Sequence, residues 1–181
     1  FFTEIIKGVD EITYQRGYFT MVSSSHSNKS VVESTLNFVG NGIIGGIIIL
    51  LPNISKEIME IVHANETPVV FISADTENYI IDSVSIDNAK GAEKVVKYAV
   101  KEKKYSRLAY ISGPHDNNDS NTRKSGFIKT CLKLGIKEND IMIADGDFSR
   151  KSGYNAIKYL FSQKEKPHFI FAANDMMALG C

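Results

Sequence analysis

The chain has 181 residues, of which 43% are hydrophobic and 23% charged, a composition typical of a globular protein with one large domain or two small ones. This composition excludes a disordered, collagen-like or mucin-like chain. The formal net charge is zero, so the summed charge shows no basic footprint for nucleic acid.

Helical and strand patterns alternate along the sequence. Apolar residues recur at helical spacing from Phe2 to Ile12, and Gly17 ends this first helix. Runs of continuous apolar residues predict strands, and the segments between them predict helices. The predicted strands are 18–22, 46–51, 69–72, 108–111, 141–144 and 169–172, with a short extended piece at 83–86, and the predicted helices are 29–39, 58–62, 92–100, 127–134, one around 157–160 and one starting at 174.

Strands that are apolar throughout are typical of parallel sheets covered by helices on both faces. We therefore predict an α/β fold with doubly wound parallel sheets. The polar stretch 75–88 predicts a crossing between two lobes, an N-terminal lobe at 1–87 and a C-terminal lobe at 88–181. The chain opens on a helix and ends on the start of one, whereas the first strand of such a lobe is usually central. We therefore expect a chain truncated at both ends, with the first strand of the N-terminal lobe missing and the C-terminal lobe incomplete.

Ligands of open parallel sheets bind beyond the carboxyl ends of the strands. Ser73 and Asp75 follow the strand at 69–72, Phe148 follows the one at 141–144, and Asn174 follows the last. Hydroxyl, carboxylate and amide groups beside an aromatic ring suit a neutral polyhydroxylated ligand. Asp, Asn and Ser at strand ends are also ordinary turn and helix-cap residues, so both interpretations stay open.

Two further features bear on a ligand. Arg123 is one of only four arginines and sits at a predicted helix start, where the helix dipole disfavours a cation. A residue placed against its local preference more often has a partner, and the planar fork of an arginine suits a bidentate ligand. Phe2 shares the apolar stripe of the first helix, which leaves Phe1 freer to face a ligand.

Catalytic and cofactor motifs give no support for an enzyme. Gly40, Gly42 and Gly45 spell G-x-G-x-x-G, but this motif follows a helix and enters a strand, the reverse of the dinucleotide fingerprint. The Walker, H-E-x-x-H, C-x-x-C and G-x-S-x-G patterns do not occur. We predict no catalytic residue, no metal and no cofactor. The two cysteines, Cys131 and Cys181, are too few for a disulfide framework.

Motifs in a fixed order run the length of the chain. They are F-F-T-E-I-I-K-G-V at 1–9, S-V-S-I-D-N at 83–88, I-S-G-P at 111–114 with R-x-x-G-F at 123–127, G-D-F-x-x-x-x-G-Y at 146–154 and F-A-A-N-D-M-M-A-L-G at 171–180. With them the chain resembles the effector-binding module of the LacI/GalR family of bacterial transcription regulators, which shares its periplasmic-binding-protein-like fold with sugar-binding transport proteins.

The resemblance implies a role for several residues. Phe1 and Phe2 would line the N-terminal lobe's side of a cleft between the lobes. Arg123 would hydrogen-bond ligand oxygens from the other lobe, Phe148 would stack on the ligand, and Asn174 would bind its hydroxyl groups.

One departure from the family's pattern concerns the ligand. Family members often carry Asp-Arg just after the third strand, where the Asp grips sugar hydroxyls. In this chain Ser73 and Ala74 occupy that place, and Asp75 comes one residue later. The ligand therefore stays open between a less typical sugar, a sugar phosphate and another small molecule.

The function implied by the resemblance is that of a ligand-sensing domain. A small sugar-like effector would bind in the cleft and control operator binding allosterically, through a homodimer and a helix-turn-helix domain absent from this sequence. Such a regulator would be cytoplasmic, with no membrane partner, and no apolar run here reaches the roughly 18 residues of a membrane span. The alternative is an extracellular sugar-binding protein of a transport system. The residues upstream of Phe1 would discriminate the two, because a helix-turn-helix favours the first and a signal peptide the second.

Overall fold

The computed structural model describes residues 2–24, 30, 33–34, 37–38, 44–51, 55–64, 67–73 and 81–181. Helices and strands alternate along them as predicted. In chain order they are α1 (Phe2–Gln15), β1 (Ile47–Leu50), α2 (Lys56–Ala64), β2 (Val69–Ile72), β3 (Asp82–Val84), α3 (Asn88–Lys97) continuing into a π-helical turn (Tyr98–Glu102), β4 (Leu108–Ser112), α4 (Asn118–Lys133), a 3₁₀ turn (Glu138–Asp140), β5 (Ile141–Asp145), α5 (Arg150–Ser162), β6 (Phe169–Ala172) and α6 (Asp175–Gly180).

The strands form two three-stranded sheets that are parallel throughout. The first sheet has the order β1-β2-β3 and the second the order β5-β4-β6. In the second sheet, Ile111 of the central strand pairs with Ala144 on one side and Ala172 on the other. Parallel sheets whose strands are accompanied by helices define the predicted α/β class, which is confirmed.

The second sheet forms the centre of a hydrophobic core. Every residue of β4 is buried, and its apolar residues cluster with the buried faces of the surrounding helices, which contribute Val96, Phe127, Leu160 and Met177. A strand buried on both faces has no solvent side, and for this reason its sequence is a continuous apolar run.

Two features of the N-terminal segment differ from the predictions. Residues 18–22 belong to no strand, and Phe19 is 97% exposed. An apolar extended segment becomes a strand only when it hydrogen-bonds to another strand. Neither of the two described sheets includes residues 18–22. Phe2 lies 61% exposed rather than in the apolar stripe of α1, where Ile5 and Val9 are half-buried.

Some predictions fall partly or wholly outside the described residues. The helix at 29–39 is described only at 30, 33–34 and 37–38, which are helical. The described chain groups into two compact units, residues 1–46 with 55–68, and residues 47–54 with 69–181. The lobe boundary between residues 87 and 88 stays a prediction. Within the described ranges no helix is both long and apolar enough to cross a membrane.

Candidate functional site

Polar side chains meet where the strands of the second sheet end. The loops after β4, β5 and β6 lead into α4, α5 and α6 at this edge, which is where open parallel sheets bind ligands. We call the group of residues that meets there the carboxyl-edge cluster; its members are Asn88, Asp119, Arg123, Phe148 and Asn174.

Arg123 lies at the centre of the cluster. Its Nε donates a hydrogen bond of 2.6 Å to Oδ1 of Asn88, and its Nη1 donates one of 2.6 Å to the carbonyl oxygen of Ala173. Its Nη2 lies 4.0 Å from Oδ2 of Asp119. These three partners of Arg123 all belong to the protein itself. A guanidinium carries five N–H donors, so those two hydrogen bonds leave three donors for a further acceptor.

The position of Arg123 in its helix differs from the prediction. The helix α4 begins at Asn118, with Asn117 as its N-cap, so Arg123 lies in the second turn and not at the helix start. The dipole effect falls off within the first turn, and the partners named above explain the position of this cation better.

The start of α4 is fixed by three hydrogen bonds. Oδ1 of Asn117 accepts from the backbone N–H of Ser120 at 2.9 Å, and Oγ of Ser120 accepts from the N–H of Gly113 at 2.8 Å. The buried Tyr110 hydroxyl donates to the carbonyl of Ser120 at 3.3 Å, and burial raises the pKa of this tyrosine to about 12. The carbonyl of Ser120 is thus bound to β4 and its hydroxyl to the residue that follows β4, so the helix presents Asp119 and Arg123 in a defined direction.

Asn174 acts first as a helix cap. Its Oδ1 accepts from the backbone N–H of Met177 at 2.9 Å, which caps α6. Its Nδ2 donates to the carbonyl of Phe148 at 3.0 Å. The cap interpretation of Asn174 is therefore confirmed, and the same amide also joins the loop after β6 to the loop after β5.

Phe148 has an unusual backbone conformation. Its φ is +70°, in the left-handed region that costs a residue with a bulky side chain free energy. The half-buried ring lies directly over Gly113, where any Cβ would overlap the ring. A strained aromatic residue held over a glycine at a sheet edge is the kind of outlier from which a functional role is inferred.

A second polar group borders the cluster at the end of β5. Oγ of Ser112 donates to Oδ1 of Asp145 at 3.1 Å, and Nε2 of His115 lies 3.7 Å from the same oxygen. Both His115 and Asp145 are exposed. Ser112, His115 and Asp145 are not among the site residues that the sequence predicts.

Asp147 occupies the turn that leads into α5. The side chains of Ser149 and Ser152, together with the backbone N–H of Ser149, hydrogen-bond its carboxylate and lower its pKa to about 2, from an ordinary value of 3.8. Ser149 is also the N-cap of α5, its Oγ accepting from the N–H of Ser152 at 3.1 Å.

The lowered pKa of Asp147 predicts a pH dependence with a definite sign. The folded state favours the ionised carboxylate, so this stabilisation is complete above about pH 4 and is lost as the pH falls toward 2. We expect Ser149→Ala to move the pKa of Asp147 back toward 3.8, as measured by NMR titration of its carboxyl carbon. Ser162→Ala, at the other end of α5, is the matched control and should leave that pKa near 2. An unchanged pKa in Ser149→Ala would contradict this account of the turn.

The structure brings together some of the predicted site residues. Arg123, Phe148 and Asn174 meet at one edge through the contacts given above. Ser73 follows β2 in the other sheet, with φ of +59° and its N–H donating to the carbonyl of Val84 at 2.9 Å. Phe1 and Asp75 lie outside the described residues, and their roles stay predictions.

Sequence analysis missed two members of the cluster, Asn88 and Asp119. Asn88 was counted only as the end of the crossing between lobes. The spacing of Asp119 four residues before Arg123 on one helix was a usable signal, because residues at that spacing are neighbours on a helix surface. Within the described part of the chain, no three His, Cys, Asp or Glu side chains gather closely enough to hold a metal ion.

Comparison with known proteins identifies the family. The family model described as periplasmic binding proteins and sugar binding domain of LacI family matches residues 1–181. The α/β chain with parallel sheets described above therefore belongs to this family of ligand-binding domains. This confirms the resemblance drawn from the motifs.

Individual relatives support the assignment. The HTH-type transcriptional repressor PurR of Erwinia tasmaniensis is 26% identical over 183 residues, covering 99% of this chain and 53% of that protein. Catabolite control protein A of Priestia megaterium is 28% identical over 181 residues, covering 99% of this chain and 54% of that protein. The chain thus spans about half the length of the curated relatives it matches.

A solved structure confirms the fold. The dimeric Lac repressor with an 11-residue C-terminal deletion superposes with a TM-score of 0.84 at 21% identity, covering 98% of this chain and 65% of that one. At this identity the likeness concerns the fold alone.

Proposed function

We propose that this chain is the ligand-sensing domain of a LacI-type transcription regulator, and that a small sugar-like effector binds at the carboxyl-edge cluster. The observation that carries the proposal is the convergence of Arg123, Phe148 and Asn174 at the edge of the second sheet. These three residues lie far apart in the sequence and are joined by hydrogen bonds from Arg123 to Ala173 and from Asn174 to Phe148.

The chemistry of the cluster suits a ligand with several hydroxyl groups. Arg123 retains N–H donors beyond those that bind Asn88 and Ala173, and these can donate to ligand oxygens. The amide of Asn174 has one further N–H and one further lone pair after its two described hydrogen bonds. The ring of Phe148 offers an apolar surface for the C–H face of a sugar. The sugar binding domain named in the family description supports the same class of ligand.

The proposal includes the regulatory consequence of binding. An effector that contacts both lobes binds the closed form better and shifts the equilibrium toward it by that difference in affinity. The change of conformation would pass through a homodimer to a DNA-binding domain in the cytoplasm. A coupling free energy of about 1–3 kcal/mol between effector binding and operator binding changes operator affinity roughly 5–150-fold. The relatives named above are regulators, which favours this function over transport.

Titration calorimetry tests whether the protein binds a sugar at the proposed site. The full-length protein is titrated with D-ribose, D-glucose, D-galactose and glucose 6-phosphate, and we expect at least one of them to bind. Phe148→Leu should weaken the tightest of these about two- to tenfold, because an aromatic contact contributes about 0.5–1.5 kcal/mol beyond its area.

A matched variant controls for a general effect of losing a phenyl ring. Phe161 is half-exposed near the end of α5, and Phe161→Leu should leave the sugar affinity unchanged. Absence of binding by every sugar tested, or an equal loss in both variants, would contradict the proposed site.

A further inference from the structure

Asn88 is a buried amide held between two opposite charges. Its Nδ2 donates a hydrogen bond of 2.8 Å to Oδ1 of Asp119, while its Oδ1 accepts the 2.6 Å hydrogen bond from Nε of Arg123. The side chains of Asp119 and Arg123 are only partly exposed. Water therefore screens these interactions less than it screens interactions on an open surface.

The two charges fix the orientation of this amide. A carboxylate can only accept and a guanidinium can only donate, so the NH₂ group of Asn88 must face Asp119 and its oxygen must face Arg123. No other uncharged side chain of this size places a donor and an acceptor in these two directions. The amide therefore orders both charged groups at once.

The backbone of Asn88 is itself fixed. Asp87 caps α3 by accepting from the N–H of Lys90 at 2.9 Å, and the N–H of Asn88 donates to the carbonyl of Ile86 at 2.8 Å. One turn beyond Arg123, the backbone of α4 at Gly126 lies so close to α3 that a Cβ there would be 2.8 Å from the carbonyl oxygen of Ala89. This close approach of two helices places Asn88 beside Arg123.

We propose that Asn88 is a positioning residue, which holds the guanidinium of Arg123 in the orientation that the effector requires while Asp119 holds Asn88. The ligand-binding part of this inference rests on the proposed function. Asn88 acts through Arg123, and its effect on affinity therefore depends on the polarity of its two contacts and not on its bulk.

Exchanging the side chains of Asn88 and Asp119 tests whether the affinity depends on the polarity of these contacts. In Asn88→Asp, two carboxylates face each other at the position of the 2.8 Å hydrogen bond, and we expect the affinity for the tightest-binding sugar to fall about tenfold or more. In Asp119→Asn the amide of Asn88 still has an oxygen to bind, and we expect a loss of less than about threefold. In the double variant Asn88→Asp, Asp119→Asn, residue 119 donates and residue 88 accepts. The chain of contacts to Arg123 is restored, and we expect the affinity to return to within about threefold of the wild type.

A second measurement is independent of any ligand. In the NMR spectrum of the ¹⁵N-labelled protein without sugar, the Nε–H signal of Arg123 is assigned by its disappearance in Arg123→Lys. We expect this signal to be protected from solvent exchange in the wild type and in the double variant, and to lose protection in Asn88→Asp. Thermal unfolding of each variant shows that it is folded.

The outcomes separate this inference from the proposed function. If sugars bind and the double variant is as weak as Asn88→Asp, or if Asn88→Asp binds as the wild type does, the positioning role is wrong. If the Nε–H signal keeps its protection in Asn88→Asp, the inference fails on structural grounds alone. If the signal follows the expected pattern and no sugar binds, the proposed function fails while the contact between Asn88 and Arg123 stands.

Discussion

Gly153→Ala is expected to destabilise the protein by about 2 kcal/mol, within the range of about 1–3 kcal/mol for adding a methyl group to a packed interior. A Cβ at this position of α5 would lie 2.7 Å from Cα of Met177 and 2.8 Å from its carbonyl carbon, and it would also overlap the carbonyl oxygen. These are backbone atoms of α6, which cannot turn aside as a flexible side chain would. The gain in helix propensity from glycine to alanine, about 1 kcal/mol, opposes this effect but is smaller.

A second glycine provides the control. Gly91 also lies inside a helix, α3, and beyond the adjoining backbone of that helix a Cβ there meets no atom within 4 Å. Gly91→Ala should therefore stabilise the protein by about 0.5–1 kcal/mol, because alanine loses less backbone entropy on folding. Urea denaturation of both variants measures the difference. Equal effects of the two substitutions would show that α5 and α6 do not pack as closely as described.

The packing at Gly153 also bears on the site. Met177, whose backbone meets Gly153, is the residue whose N–H is capped by Asn174. A shift of α6 that relieves the overlap would move this cap and its contact with Phe148. We therefore expect Gly153→Ala to weaken sugar binding as well, even though Gly153 is not a member of the cluster.

Arg123→Gln is expected to lower the affinity for the tightest-binding sugar about 100-fold. The substitution removes the charged donors proposed for the ligand, and hydrogen bonds to charged groups contribute about 1.5–3 kcal/mol each. It also leaves the carbonyl of Ala173 and Oδ1 of Asn88 without the donor that they share. Titration calorimetry with the sugars named above measures the loss.

Arg107 is a close match for this test. Its side chain has the same 23% exposure as that of Arg123, and it likewise binds carboxylates, those of Asp140 and Glu165, together with a backbone carbonyl, that of Lys166. It precedes β4, at the opposite end of the strand from the cluster. Arg107→Gln should change the sugar affinity by less than about threefold. Comparable losses in the two variants would mean that Arg123 acts through general stability and does not bind the ligand.

The elements of this fold could be predicted from the sequence wherever a strand or helix depends on nearby residues. Val69–Ile72 and Phe169–Ala172 were predicted with the bounds that the structure shows, because a continuous apolar run with flanking polar residues is typical of a strand in a parallel sheet. The helix caps follow the same logic, since a cap bonds to an N–H two or three residues away.

Residues 18–22 show where this reasoning stops. Their composition is that of a strand, but a strand needs hydrogen-bonding partners from elsewhere in the chain, and the described sheets supply none. The glycines within helices show the same limit. The sequence places Gly91 and Gly153 alike inside helices, and it does not show that only Gly153 faces the backbone of another helix.

The family resemblance of the motifs predicts that Arg123, Phe148 and Asn174 lie in one site, and the order of strands and helices follows from the continuous apolar runs and from the apolar residues at helical spacing. The partners of Arg123 could not be read in this way. Asn88 lies 35 residues before it and Ala173 lies 50 residues after it, and such contacts arise only when parallel strands and their connecting helices bring distant segments to one edge of a sheet. The pattern of apolar residues in a helix or strand indicates which face of that helix or strand is buried. The orientation of a side chain in a site depends instead on groups that other helices and strands bring to it.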